Sequence, residues 1–288
     1  MKHHFLPIFL LKQWAASDGR VATYRRRDGG HRVRHFHPRG IGYVTDLLAL
    51  NRDYVGTMER QHLEKYVFQD VDSLAAKVRD KLNRDGADSL SSEDRVAWAR
   101  FLMSLQMRQP QLVQMVRDVG KSTLLDKLQT TAEEDVILRQ FGEPGGLADF
   151  LERQTPGMAE NFGLTLLPSM LDDMKTIQRL ASLKWLRVLF PWATHEVMIS
   201  DAPSMLHAAL DDPKFVWALP LSPRSAFFAT EDEATIGRIL GANSGFIVRA
   251  LNVQACFQTR DRLFARGASN QNFVQRRWAD WDGSPEGK

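Results

Sequence analysis

The sequence predicts an α+β fold, predominantly helical, with a small mostly antiparallel sheet built from N-terminal and C-terminal strands. Three observations carry that expectation. Short β-rich runs punctuated by Gly and Pro occur near the start, at residues 21–27 and 31–36, and again between residues 184 and 229. The stretch between them, roughly 58–182, repeats apolar residues at three- and four-residue steps, the period of a helix with one buried face. A chain of 288 residues, 43% of them hydrophobic, also carries enough apolar surface for one large core. We therefore expect a single domain over 1–288. Its parts are a basic N-terminal helix and hairpin (1–50), a helical middle (51–183), strands (184–230), and C-terminal helices with a tail (231–288).

Taken in order, Pro7 suits the first turn of a short helix reaching about residue 16, with Leu6, Leu10 and Trp14 on one face. Asp28-Gly29-Gly30 separates two β-rich runs and reads as a hairpin turn. Pro38, Gly40 and Gly42 then lead into residues 43–50. From about residue 58 to 82, Leu63, Val67, Val71, Leu74 and Val78 recur at helical spacing. Ser91 or Ser92 ahead of Glu93-Asp94 marks a helix start, with acids where the helix dipole favours them. That helix carries Trp98, Phe101 and Leu105 before Pro110 kinks or ends it. Helical periodicity continues to about Arg139, breaks at 142–146, and resumes to 182 with interruptions at Pro156-Gly157 and Pro168. Runs at 184–190, 195–199, 214–219 and 225–229 read as strands, residues 232–241 and 245–266 as helices, and 278–288 as a frayed tail. The expected pairing joins the N-terminal hairpin to the strands of 184–229 in one sheet, with the helical middle packed on it.

Charge is unevenly spread. The first 39 residues hold five of the eight histidines and nine of the 38 Lys and Arg; against Asp18 and Asp28 this leaves +7. The whole chain carries +3, so the remainder carries −4. Such clustering is an electrostatic footprint for a polyanion, while the small total argues against general nucleic-acid affinity. A single cysteine, Cys256, excludes an internal disulfide framework and a thiolate zinc site and points to a reducing, cytoplasmic setting. The apolar run at 5–11 is too short for a membrane span, which needs about 20 residues, and Lys12 and Gln13 cut it before any cleavage site for a secretory signal.

Four features carry candidate chemistry. Arg25, Arg27, Arg32 and Arg34, interleaved with Tyr24 and Phe36, offer forked phosphate contacts and stacking platforms, and a charged edge strand is the plainer reading. His31, His35 and His37 share parity and would project from one strand face, the beginning of a divalent-metal site that still needs another ligand. Arg108 falls on the stripe Trp98, Phe101, Leu105 and Leu112, where a guanidinium must snorkel or meet an acid. Asp201, Glu59, Glu64 and Asp72 are the candidate acids, and the choice is between a buried ion pair and an anion clamp. Asp201 follows an apolar run and precedes Ala202-Pro203, which fits either a turn-making carboxylate or a catalytic one at a strand end. Of the histidines that open the chain, His4 is the expected anchored residue. No Walker loop or dinucleotide fingerprint is present.

The segments His4-Phe5-Leu6-Pro7-Ile8-Phe9-Leu10-Leu11-Lys12-Gln13-Trp14, Arg108-Gln109-Pro110, Ser200-Asp201-Ala202-Pro203 and Leu219-Pro220-Leu221-Ser222-Pro223 occur in a familiar order. Together they resemble the domain-of-unknown-function family numbered 4238. That family opens H-[YF]-x-P-x-x-x-L-x-x-[FW], carries R-T-P in its middle, and later S-D-x-P and L-P-L-S-P. Gln109 stands where the family has Thr. The resemblance implies no assigned activity, but it groups His4, Arg108 and Asp201 as a shared constellation. The functional expectation is a His/Arg/Asp cleft that binds or hydrolyses a phosphate-bearing or nucleic-acid ligand. In a phosphodiester hydrolase His4 would be the acid or base, Arg108 the charge stabiliser and Asp201 the orienter or metal ligand. The alternative is a non-catalytic protein whose basic hairpin docks an acidic partner.

Overall fold

The computed structural model describes residues 1–51, 59–142 and 145–279. In chain order, β1 (Lys2–His4), α1 (Ile8–Leu11), β2 (Val21–Arg25), β3 (Val33–Phe36) and β4 (Tyr43–Thr45) come first. Helices α2 (Gln69–Asp85), α3 (Ser92–Met107), α4 (Pro110–Lys127), α5 (Ala132–Gln140), α6 (Gly146–Gln154), α7 (Met158–Thr165), α8 (Leu167–Leu171) and α9 (Met174–Ser182) follow. Then come β5 (Lys184–Leu189), β6 (Ile199–Ser200), β7 (Met205–His207), β8 (Val216–Ser222), β9 (Ser225–Thr230), α10 (Glu233–Gly241), α11 (Ser244–Gln258), β10 (Arg262–Ala265) and α12 (Gln271–Ala279). The fold is mixed α+β and mainly helical, with small antiparallel sheets. The chain groups into two compact units, each assembled from separated segments.

One unit holds Met1–His3, Val44–Val71 and Gln106–Asp173. It is helical, and its tightest packing is between α4 and α7. A Cβ placed on Gly163 would lie 2.0 Å from the Val116 carbonyl oxygen, and one on Gly120 would lie 2.4 Å from the Gly163 Cα, so only glycine allows these backbones to meet. Arg117 of α4 donates to the carbonyls of Leu47 and Ala49 at 3.2 and 2.8 Å, and the Asn161 side chain accepts from the Asn51 amide at 2.7 Å. These bonds tie the non-helical segment after β4 to the helices, satisfying backbone groups that burial would otherwise orphan. A π-helical turn over Leu63–Phe68 leads into α2. The expected start of that helix at Met58 lies outside the described residues.

The other unit holds His4–Tyr43, Asp72–Leu105 and Met174–Lys288, and within it two four-stranded sheets run β3-β2-β10-β6 and β5-β9-β8-β7. In the second, side chains alternate as strand geometry demands. Met205, Ala218 and Phe228 are cross-strand neighbours on one face, while Trp185, Phe227 and Leu219 project from the other. The latter face packs on α3, where Trp98 meets Phe227 edge-on with centroids 5.8 Å apart and Phe101 tilts against Phe9 at 5.3 Å. Ser91 and Asp94 cap α3 reciprocally, as its first residues predict, and Lys81 grips Asp94 at 2.7 Å. Leu6, Leu10 and Trp14 are fully buried, and the Trp14 indole donates to the Val197 carbonyl at 2.7 Å.

Three expectations are corrected. Of the strands of 184–229, only β6 shares a sheet with the N-terminal hairpin, and it does so through β10: β2 pairs with β10 and β3, while β5, β7, β8 and β9 form a sheet of their own. Residues 245–266 are not one helix, because α11 stops at Gln258 and Arg262–Ala265 is the strand between β2 and β6. Leu263, Phe264 and Ala265 are all buried, so the run lacks the polar alternation that distinguishes a strand from a buried helical segment. Trp278 does not begin a frayed tail: it is a buried residue of α12, and the rest of that expected tail, 280–288, lies outside the described residues.

Candidate functional site

Asp201 follows β6, and its carboxylate is consumed by the turn between α11 and β10. Its Oδ1 accepts from the Arg260 amide at 2.8 Å, and its Oδ2 accepts from the amides of Asp261 and Arg262 at 2.7 and 2.8 Å. Burial pushes the acid's pKa above its ordinary value, and the three amides oppose that rise. The same turn is held from its carbonyl side by Arg26, whose guanidinium donates to the carbonyls of Cys256, Phe257 and Thr259 at the C-terminal end of α11. Ser200 and Gln258 complete the clasp through the Ala202 carbonyl. The backbone groups freed where the helix becomes a strand are thus met by charged and polar side chains.

The other predicted residues fall as follows. Arg108 is 1% exposed, in the bend between α3 and α4, with its guanidinium 5.3 Å from the Phe68 ring centroid. Pro110 opens α4 at the position where its missing N–H costs nothing. His4 belongs to the same unit as Asp201, and Arg108 to the other. His4 is partly buried with its ring 5.5 Å from Tyr43. Its neighbour His3 is the fully buried imidazole: Nδ1 accepts from the Leu48 amide at 2.8 Å, Nε2 meets Gln61 at 2.5 Å, and burial lowers its pKa. His31 and His37 lie outside β3, so the three-histidine face is not formed; His37 instead caps the short 3-10 turn Pro38–Gly40. Among the described residues no group of three His, Cys, Asp or Glu side chains is placed to hold a metal ion.

Of the hairpin arginines, Arg25 pairs with Asp261 at 3.5 Å and Arg27 lies 3.9 Å from Asp28. Arg32 and Arg34 are exposed at the outer edge of the sheet, since β3 is a terminal strand. The hairpin turn rests on α12. Gln271 donates to the His31 carbonyl at 2.9 Å, and a Cβ on Gly30 would strike Val274 at 2.9 Å. On the adjoining flank of α12 a cavity of about 270 Å³ is lined by Phe273, Arg276, Arg277 and, from α11, Arg249. Arg277 stands over the Phe273 ring at 5.6 Å, and Arg276 Nε donates to the Asn272 carbonyl at 3.2 Å. Among the described residues no carboxylate forms an ion pair with Arg249, Arg276 or Arg277. The last-turn position of Arg276 and Arg277 suits the helix dipole, but the dipole does not require the third guanidinium from a neighbouring helix. Sequence reasoning misses this cluster because its members spread over 28 positions, from Arg249 to Arg277. The one local signal is the Arg276-Arg277 pair close to an aromatic residue.

The four motifs of the resemblance therefore map onto folding tasks: the buried face of α1, the α3–α4 bend, the Asp201 clasp, and the β8–β9 turn, where the hydroxyls of Ser222 and Ser225 meet at 2.8 Å. No curated protein and no solved structure matches the chain. A family model described as "Protein of unknown function (DUF4238)" matches residues 2–268, nearly the full length, and on that match the chain belongs to the DUF4238 family.

Proposed function

We propose that this protein binds a phosphate-bearing ligand, a single-stranded nucleic acid first among them, on the arginine face formed by the α11–α12 cavity and the neighbouring hairpin. The observation that carries the reading is the meeting of Arg249, Arg276 and Arg277 with the Phe273 ring at one hollow, with no ion-pair acid among the described residues. Guanidinium forks match phosphate oxygens, and an aromatic ring among them accepts a stacked base. Exposed Arg32 and Arg34 in the hairpin extend the positive surface without specifying sequence.

Binding has this support; hydrolysis by His4, Arg108 and Asp201 does not gain it, because both Asp201 oxygens already accept backbone amides. A cytosolic setting is part of the proposal. Cys256 is buried and its thiol is pushed up to about 12 by burial, so it is inert towards disulfide exchange. No helix among the described residues is long and apolar enough to cross a membrane.

The test is fluorescence anisotropy of a labelled oligothymidylate across a salt series. Arg249→Gln, Arg276→Gln and Arg277→Gln combined should weaken binding and reduce the salt slope by about 0.7 for each guanidinium–phosphate pairing removed, the single-strand value. Unchanged affinity in the triple variant overturns the reading. A second reading, docking of an acidic protein on the hairpin, is favoured by the edge position of β3. It predicts the reverse pattern, with Arg32→Gln/Arg34→Gln decisive and the cavity variant silent.

A further inference from the structure

We propose that a second site, formed by β7, β8, β9, α10 and α11, takes a free amphiphile with one anionic head and an unbranched apolar tail, a fatty-acid-like carboxylate. Its hollow has a volume of about 440 Å³, within the range of small-molecule pockets, and all of it belongs to one unit. The floor follows from strand register. Met205, Ala218 and Phe228 stand side by side across three strands, and the Ala218 methyl in the middle leaves a depression that its two larger neighbours flank. Ile239, Ile247 and Leu251 supply the helical walls. None of these six side chains donates a hydrogen bond, so the interior selects hydrocarbon.

The rim has a different character. An adjoining hollow shares His207, Thr235 and Arg238 with the first and adds Lys214 and Asp232. Asp232 is occupied as the N-cap of α10, accepting from the Thr235 amide at 3.1 Å and lying 3.7 Å from Arg238. Lys214 has no carboxylate ion pair among the described residues. Among the residues lining the two hollows, one acid accompanies Lys214, Arg238 and a histidine, so the lining carries a positive surplus; Asp212 stands beside Lys214, accepting that residue's amide at 2.7 Å. A hydrocarbon interior below a cationic rim complements a carboxylate carried on a chain. A strand-adding peptide fits less well, because the edge strand β7 offers only three residues of ladder.

The experiment is calorimetric titration of the full chain with dodecanoate below its micelle concentration, beside dodecyltrimethylammonium and vesicles of phosphatidylglycerol. Saturable one-to-one binding of dodecanoate is expected, with the cationic analogue roughly tenfold weaker or worse. Lys214→Gln/Arg238→Gln should weaken dodecanoate about tenfold, and Ala218→Ile should abolish binding by filling the floor. Ala250→Trp, on the exposed surface of α11 at the mouth, gives the same block without touching the core should Ala218→Ile fail to fold. Equal binding of the two amphiphiles, full affinity in both filling variants, or association with vesicles alone overturns the proposal.

Discussion

Replacing Asp201 separates structural from catalytic use of that carboxylate. Asp201→Ala leaves three partly buried amides, now bonded at 2.7–2.8 Å, without their acceptor. Each orphaned amide costs about 1–3 kcal/mol. Removing a charge whose ionisation burial already disfavours returns part of that sum, so a net loss of about 3 kcal/mol is expected. For a chain of this size that lowers Tm by roughly 6–12 °C. Asp201→Asn keeps one carbonyl oxygen but turns an NH2 towards the remaining amide donors, so it should fall between wild type and Asp201→Ala. The titration has a definite sign. Because the folded-state pKa lies above the ordinary value of 3.8, the folded protein holds the proton more tightly, and this group's contribution to stability falls as pH rises from 3.8 through the folded pKa. The stability gap between wild type and Asp201→Asn should therefore be wider at acid pH than at neutrality. Thermal melts followed by circular dichroism, with hydrogen exchange at the amides of Leu263, Phe264 and Ala265, measure both effects. A melting point for Asp201→Ala within about a degree of wild type would refute the reasoning.

Three further outcomes follow from the packing. Gly163→Ala sets a methyl 2.0 Å from a backbone oxygen, and forcing α4 and α7 apart should cost about 2 kcal/mol after the usual gain in helix propensity, read as a lower urea midpoint. Asp94→Asn removes a carboxylate whose pKa is held below 3.8 chiefly by the Lys81 ammonium; its stability contribution is present above 3.8 and lost as pH falls through the folded pKa, so the variant's acid unfolding should be shallower, with about 1 kcal/mol lost at neutral pH. Arg108→Ala, at a site 1% exposed beside Phe68, should destabilise by about 2–4 kcal/mol while leaving oligothymidylate affinity unchanged in the folded fraction.

The legible parts of this fold are those where one physical rule acts locally. Ser91, Glu93 and Asp94 mark the start of α3 because a cap and a dipole need only a few neighbouring residues, and Pro110 marks a boundary because it lacks a donor. The hairpin is legible for the same reason: Gly29 and Gly30 both adopt positive φ, at 55° and 75°. Strand β10 is hidden because a doubly buried strand has no alternation, and its identity depends on Asp201 and Arg26 arriving from distant segments. The arginine cavity and the apolar hollow are illegible for a related reason. Each depends on which side chains tertiary packing places side by side, and Ala218 gives no sign in the sequence that it floors a depression.

The order of strands β3-β2-β10-β6 has a consequence for biosynthesis. The partner that closes the inner edge of β2 is encoded 237 positions later, counting from Arg25 to Arg262. During translation the hairpin must wait, one edge open, until Arg262–Ala265 has left the ribosome. Long-separation pairings of this kind slow folding and expose strand edges to neighbouring nascent chains. A product truncated just before Arg262 would retain every residue of the arginine-bearing hairpin and still be a substrate for chaperones rather than a finished protein.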